Sequence, residues 1–195
     1  MNNRGTVTKD AVIGGSTSRP ADEELGLINA DKRDSQDICF VPDGDYSAFI
    51  RSYTGKDYPE GDFVDEDGNV LGTHKGIIRY TIGQRKGLGL ALPAPMYVKE
   101  KDLKNNRVVL CDNDSLFSKE LTANDVNLIS VDEITEPMRV CARVRYNQKE
   151  QPATVTQLDD DTIKVVFDEP QRAISKGQAV VLYDGDIVVG GGTIV

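Results

Sequence analysis

Alternation of apolar and polar residues is the strongest pattern in the second half of the chain. In "RVCARVRY", residues 139–146, one face is apolar and the other carries three arginines and a cysteine, as in a half-buried strand. The segments "ATVTQL", "TIKVVF" and "AVVLYDGDIVVGGGTIV" follow, the last with an Asp-Gly turn. Roughly five such strands predict a small antiparallel β-barrel, because closure leaves no exposed sheet edge.

Hairpin patterns precede this region. An Asp-Gly pair in "GDFVDEDGNVLGTH" and an Asn-Asn pair in "MYVKEKDLKNNRVVLC" each separate two short apolar runs. These pairs are typical of tight turns, so they predict two β-hairpins. Between the hairpins, the apolar pattern of "IIRYTI", residues 77–82, predicts a further strand.

The domain organisation follows from where these patterns stop. Residues 1–20 are rich in Gly, Ser, Thr and Asn and show no sustained apolar period. The stretch "LFSKELTANDVNLISVDEI" is interpreted as a polar connection that places a boundary near residue 120. We therefore predict a mainly β chain, with a tail and linker at 1–33, a small central α+β domain at 34–119 and a C-terminal antiparallel β-barrel at 120–195.

Composition narrows the class of protein. The chain has 195 residues, 38% of them hydrophobic, which is enough for a packed core. No apolar run approaches the roughly 18 to 20 residues of a membrane span, and the N-terminus lacks a secretory signal, so we expect a cytoplasmic protein without membrane contact. Three cysteines without a CxxC pair indicate neither a disulfide framework nor a zinc site.

Charge gives two opposing indications about a nucleic-acid partner. The formal net charge of -9 opposes phosphate binding on average. Acidic residues nevertheless gather in apparent turns, whereas basic residues gather at 79–86, 99–107 and 139–149. The arginine face at Arg139, Arg143 and Arg145 can meet successive phosphates, and Tyr146 can stack on an unpaired base if it is exposed. A merely solvated charged face is the alternative.

Three further features are chemical candidates with structural alternatives. Cys39 is either a small buried hydrophobe or a loop thiol whose pKa nearby basic residues lower. The glycine-rich "GQRKGLGLALPAP", residues 83–95, matches no nucleotide-binding fingerprint. It either forms turns only, or it is a loop whose backbone contacts a large ligand while Arg85 and Lys86 supply positive charge. His74 is the only histidine and has no second metal ligand at a suitable spacing, so no metal site is predicted.

Several motifs together resemble the tRNA-specific 2-thiouridylase family. They are "DSQDICFVPDGDY", "GTHKGIIRYTIGQRKGLGL", "RYNQKEQPA" and "FDEPQRAISKGQAVVLYDGDIVVGGGTI", and the resemblance covers roughly residues 25 to 195. It implies the central domain and C-terminal β-barrel of an enzyme whose N-terminal domain is an ATP pyrophosphatase. The implied activity is replacement of oxygen by sulfur at carbon 2 of the wobble uridine in tRNA.

The resemblance also implies roles for individual residues. Cys39 matches the cysteine of "D-S-x-x-I-C-F", which carries a persulfide whose terminal sulfur attacks a uridine that ATP has adenylated. The family's tRNA contacts match Arg145, Tyr146 and Gln178. Further candidates for tRNA contact are Arg143, Arg85 and Lys86. A cysteine desulfurase or a sulfur-relay protein is the implied sulfur donor.

Two parts of the family pattern do not occur in this sequence. The "SGGxDS" ATP-binding loop and a second catalytic cysteine belong to the family's N-terminal domain, and neither Cys111 nor Cys141 matches that cysteine. ATP is therefore expected as a cofactor of the full-length family only, and we expect this chain alone not to thiolate tRNA. The alternatives are a tRNA-binding module without catalysis and a structural barrel without RNA contact.

Overall fold

The computed structural model describes residues 45–195, and Cys39 and the predicted tail lie outside these residues. The described residues form two compact units. The central unit comprises 45–117 and 172–174, and the barrel unit comprises 118–171 and 175–195. No helix in this part of the chain is long and apolar enough to cross a membrane. No group of three or more His, Cys, Asp and Glu among residues 45–195 could hold a metal ion.

The central unit combines one α-helix, Tyr46–Thr54, with a four-stranded mixed sheet. The bounds of the strands are β1 Gly61–Val64, β2 Val70–His74, β3 Tyr97–Asp102 and β4 Arg107–Cys111. Their order in the sheet is β2-β1-β4-β3. The pairs β1–β2 and β3–β4 are antiparallel, which confirms both predicted hairpins, and β1 lies parallel to β4.

Local residues set both ends of the helix. Its N-terminus is capped by Asp45, whose carboxylate accepts a hydrogen bond from the Ala48 N–H at 3.0 Å. Its C-terminus is capped by Gly55, which adopts a left-handed conformation with φ of 63° and donates its N–H to the Arg51 carbonyl at 2.9 Å. Glycine suits this position because it lacks the Cβ that strains a left-handed residue.

The strand predicted for residues 77–82 is wrong. Ile77–Arg79 form a 3₁₀ helix, closed by the Arg79 N–H donating to the Gly76 carbonyl at 3.1 Å. Ile77 and Tyr80 both enter the core. Side chains three residues apart share a face in a 3₁₀ turn but lie on opposite faces of a strand. Burial of both residues therefore favours the 3₁₀ turn over the strand predicted from the run of apolar residues.

His74 is a fully buried structural residue of the central core. Its Nδ1 accepts the Gly76 N–H at 3.1 Å, so Nε2 carries the proton and donates to the Asn106 carbonyl at 3.0 Å. The ring also contacts Phe63 and Tyr80 edge-on, with centroid distances of 5.7 and 5.8 Å. Both ring nitrogens are thus used in holding the sheet and the following turn together.

The barrel unit is a closed barrel of six strands, which confirms the predicted fold class. The bounds of the strands are β5 Phe117–Leu128, β6 Met138–Arg143, β7 Gln151–Gln157, β8 Ile163–Arg172, β9 Ala179–Asp184 and β10 Ile187–Ile194. Their order around the barrel is β10-β5-β8-β7-β6-β9. The pairs β5–β10, β9–β10, β6–β7, β6–β9 and β7–β8 are antiparallel.

The first strand of the barrel corrects the interpretation of 116–134 as a polar connection. β5 is twelve residues long, and its Leu121 and Ala123 are buried at alternating positions. Polar residues such as Glu120 face outward and pair across strands, here with Lys164 at 2.8 Å. Only two of the twelve residues are buried, and one of these is an alanine, so the period-2 pattern is weak in the sequence.

Three consecutive glycines in β10 allow neighbouring strands to approach closely. A Cβ on Gly191 would lie 2.3 Å from the Val180 carbonyl oxygen, and one on Gly192 would lie 2.7 Å from the Asn124 carbonyl oxygen. Both neighbours are backbone atoms of adjacent strands, so they cannot rotate away. The glycines are therefore required by the closure of the barrel rather than by a turn.

Candidate nucleic-acid interface

A cavity of about 330 Å³ opens on the barrel unit beside the end of β6 and the start of β9. This volume is within the range of small-ligand sites. Four residues that the sequence analysis associated with tRNA line it, namely Arg143, Arg145, Tyr146 and Gln178. The other lining residues are Val144, Ala179, Val181 and Tyr183.

Strand pairing brings these distant parts of the sequence together. Arg143 is the last residue of β6 and pairs with Val181 of β9. Gln178 lies immediately before β9, where its N–H donates to the Ser175 carbonyl at 3.3 Å and its carbonyl accepts the Ile194 N–H at 2.8 Å. The main chain of Gln178 is therefore fixed on both sides, while the side chain is exposed.

Tyr146 does not continue the apolar face on which the sequence placed it. β6 ends at Arg143, and a turn follows in which the Gln148 N–H donates to the Arg145 carbonyl at 3.1 Å. The side chain of Tyr146 is 61% exposed, whereas Val144 is buried. The predicted alternation thus holds up to Val144, and the turn then directs the tyrosine ring to solvent at the edge of the cavity.

The arginines of this region have different partners. Arg139 donates from both terminal nitrogens to the two carboxylate oxygens of Asp168, each at 2.8 Å, and it lowers the pKa of that carboxyl. Arg143 lies 3.8 Å from Glu150 and 5.9 Å above the Tyr183 ring, and Arg145 donates to the Ser175 hydroxyl at 3.2 Å. The predicted arginine face is therefore divided, because Arg139 forms an ion pair on the barrel wall and does not line the cavity.

Tyr183 is a residue of the cavity that the sequence analysis missed. It is buried, its ring lies beneath the Arg143 guanidinium, and it pairs with Cys141 of β6. In the sequence it is one apolar residue among many in "AVVLYD". Only the pairing of β6 with β9 brings it into the same site as the arginines.

Arg85 and Lys86 are not part of this cavity. Arg85 lines a different cavity of about 360 Å³ in the central unit, together with residues from Gly87 to Met96. Lys86 is exposed, and its carbonyl accepts a hydrogen bond from the Gln84 side chain at 2.9 Å.

The cysteines do not form a site in the described part of the chain. Cys111 is buried, and burial raises the pKa of its thiol. Cys141 is half-buried on β6 and is also a free thiol. Neither lines the barrel cavity. Because Cys39 lies outside the described residues, its role stays a prediction.

Comparison with known proteins covers both units. Residues 118–194 match the family described as aminomethyltransferase beta-barrel domain, and residues 47–112 match the tRNA methyl transferase PRC-barrel domain. The chain is 56% identical over 190 residues to the tRNA-specific 2-thiouridylase MnmA of Acetivibrio thermocellus, a match that covers 97% of this chain and 51% of the relative.

Two other relatives carry the same name. The protein of Clostridioides difficile is 56% identical over 172 residues, which are 88% of this chain and 48% of the relative. The protein of Lachnoclostridium phytofermentans is 48% identical over 191 residues, which are 98% of this chain and 52% of the relative. The chain thus spans about half the length of the curated relatives it matches.

Proposed function

The chain belongs to the tRNA-specific 2-thiouridylase family, and on this basis we propose that it forms part of an enzyme that replaces oxygen by sulfur at carbon 2 of the wobble uridine in tRNA. The geometric observation that supports this proposal is the convergence of Arg143, Arg145, Tyr146 and Gln178 on one cavity. In this proposal the barrel cavity holds the RNA, and the sulfur chemistry takes place at Cys39.

The side chains of the barrel cavity match the chemistry of an unpaired nucleotide. The guanidinium groups of Arg143 and Arg145 can donate charge-assisted hydrogen bonds to phosphate oxygens. The exposed ring of Tyr146 offers a surface on which a base can stack, and the amide of Gln178 can both donate to and accept from a base edge or a 2′-hydroxyl. Positive charge, a stacking surface and an amide are the combination that single-stranded RNA recognition uses.

The proposed reaction has two stages. ATP, bound by the N-terminal domain of the family, adenylates the oxygen on carbon 2 of uridine and releases pyrophosphate. The terminal sulfur of a Cys39 persulfide then attacks carbon 2, and AMP leaves with the oxygen. A second cysteine of the enzyme attacks the remaining Cys39 sulfur, so the persulfide bond breaks and a disulfide forms. The persulfide itself comes from a cysteine desulfurase or a sulfur-relay protein.

The 195 residues alone are not expected to complete this reaction. They contain no segment that matches the ATP-binding loop or the second cysteine of the family. A tRNA-binding module without catalysis is the alternative function. Formation of 2-thiouridine by the purified chain, given ATP, a sulfur donor and tRNA, would contradict the expectation that it is inactive alone.

The role of the barrel cavity is tested by comparing Arg145→Gln with Arg139→Gln in a tRNA titration. Both variants remove one arginine charge from the same segment, but only Arg145 lines the cavity. A lost charge-assisted hydrogen bond costs about 1.5–3 kcal/mol, so Arg145→Gln should weaken binding roughly 10- to 150-fold, whereas Arg139→Gln should stay near the wild type. Gln178→Ala is a second test at an exposed side chain. Equal affinities for all variants would exclude the cavity as the RNA site.

The role of Cys39 is tested by intact mass. The chain is incubated with a cysteine desulfurase, cysteine and a relay protein, with Cys39→Ser as the control. A gain of about 32 daltons that is absent from the variant and reversed by reduction supports the persulfide. The same gain in Cys39→Ser would assign the sulfur to Cys111 or Cys141 and contradict the proposal.

A further inference from the structure

The central unit contains a long segment without acidic residues. The chain has 32 Asp and Glu, yet none occurs between residues 75 and 99. Five exposed basic residues lie within this segment, namely Lys75, Arg79, Arg85, Lys86 and Lys99. The sequence of this segment is therefore basic although the chain as a whole is acidic. Two of its cations have acidic neighbours from outside the segment, since Lys99 pairs with Glu66 and Arg79 lies near Asp45.

The glycine-rich part of this segment has a defined shape. Its start is tied to β3, because the Gly83 N–H donates to the Val98 carbonyl at 2.7 Å and the Val98 N–H donates to the Gln84 carbonyl at 2.9 Å. The Gln84 side chain accepts from the Thr81 N–H and donates to the Lys86 carbonyl, each at 2.9 Å. These bonds hold Arg85 and Lys86 within a turn rather than on a free loop.

The main chain after this turn has unused hydrogen-bond donors. Outside the turn at residues 86–87, the backbone N–H groups of 85–96 donate to no backbone carbonyl of the described residues. Gly87 and Gly89 are left-handed, with φ of 77° and 74°. Successive N–H groups around left-handed residues form concave sites for anions. A cavity of about 360 Å³, lined by this stretch and by Arg85, lies at the same place.

We propose that residues 83–96 form a phosphate-binding loop of the central unit, which contacts the RNA backbone as a second site besides the barrel cavity. The inference rests on the proposed function, because that function supplies RNA as the partner. Arg85 and Lys86 provide the charge, and the N–H groups near Gly87 and Gly89 provide fixed donors. The loop has no aromatic residue, and its one side-chain amide, that of Gln84, is already bonded to the Thr81 N–H and the Lys86 carbonyl, so the loop binds phosphates and not sequence.

Salt dependence of tRNA binding tests this second site. The double variant Arg85→Gln, Lys86→Gln is compared with Lys56→Gln, Lys104→Gln. All four side chains are exposed in the central unit, so both variants remove two charges and neither disturbs the core. The probe is an unmodified tRNA transcript with uridine at the wobble position, titrated between about 50 and 200 mM salt.

Each lost phosphate contact lowers the slope of log affinity against log salt by about 0.7–0.9. The loop variant should therefore have a slope smaller by about 1.4–1.8 than the wild type, while the control changes by less than about 0.5. The amide NMR signals of Gly87 and Gly89 should also shift when the transcript is added to the wild type.

Each outcome distinguishes the loop from the barrel cavity. If Gln178→Ala weakens binding but the loop variant behaves like its lysine control, the inference is overturned and the proposed function stands. If the wild-type chain shows no affinity for the transcript, both are overturned. A reduced slope in the loop variant, with affinity retained by its control, supports the second site.

Discussion

Tyr146 permits the most specific test of how the barrel cavity recognises RNA. Its ring is 61% exposed at the edge of the cavity, so its removal takes little packing from the fold and should change stability by less than about 0.5 kcal/mol. Stacking of one base on an aromatic ring is worth about 1–3 kcal/mol. Tyr146→Ala should therefore weaken tRNA binding by roughly 5- to 150-fold, since about 1.4 kcal/mol corresponds to a factor of ten.

The matched control is Tyr146→Phe. It keeps the ring and removes only the hydroxyl, so it should bind tRNA within about threefold of the wild type if stacking is the main contribution. Fluorescence anisotropy with a labelled tRNA transcript measures both variants at one salt concentration. The salt slope should stay unchanged in both, because a stacked base releases no counterions.

Two results would refute this reasoning. If Tyr146→Ala binds like the wild type while Arg145→Gln is weakened, the cavity holds phosphates and no base stacks on the tyrosine. If Phe and Ala at position 146 weaken binding equally, the hydroxyl and not the ring makes the contact. Circular dichroism of each variant checks that the barrel is intact.

Three further predictions concern the fold. Gly191→Ala should destabilise the barrel by more than about 2 kcal/mol in urea denaturation, because the added Cβ would lie 2.3 Å from a backbone oxygen. The control is Gly185→Ala, at a turn position with open space, which should cost about 1 kcal/mol. Equal losses of stability in the two variants would contradict the packing argument. His74→Phe should destabilise the central unit by about 2–4 kcal/mol, since the Asn106 carbonyl and the Gly76 N–H lose their hydrogen-bond partner. An unchanged midpoint of urea denaturation would refute this prediction. Cys111 should react slowly with iodoacetamide in the native protein, because it is buried and burial raises the pKa of its thiol. Cys141, which is half-buried, should react faster, and peptide mass spectrometry measures both rates. Faster alkylation of Cys111 would be inconsistent with its burial.

The sequence was informative wherever the pattern was local. Both hairpins of the central unit follow from turn residues between short apolar runs, and the structure confirms them. It was misleading at 77–82, where burial of Ile77 and Tyr80 three residues apart selects a 3₁₀ turn. It was also misleading at β5, whose inward positions contain few large apolar residues. In both cases long-range packing overrides the local preference.

The candidate site, like the fold, could be predicted only in part from the sequence. Resemblance to the family identified Arg145, Tyr146 and Gln178 one by one, although their roles stay predictions. The sequence alone could not show that Arg139 pairs with Asp168 while Arg143 lies over Tyr183, because both facts depend on strand neighbours far apart in the chain.

The sequence by itself determined the secondary structure of the hairpins, the barrel class and the family, because turn chemistry, period-2 alternation and short motifs are properties of neighbouring residues. The tertiary structure decided which of the basic and aromatic residues share a cavity. Closure of the barrel pairs β6 with β9, and this register places Arg143 over the buried Tyr183 and in one cavity with Gln178. Contacts of that kind depend on the register of strands separated by about 40 residues, which no local pattern encodes.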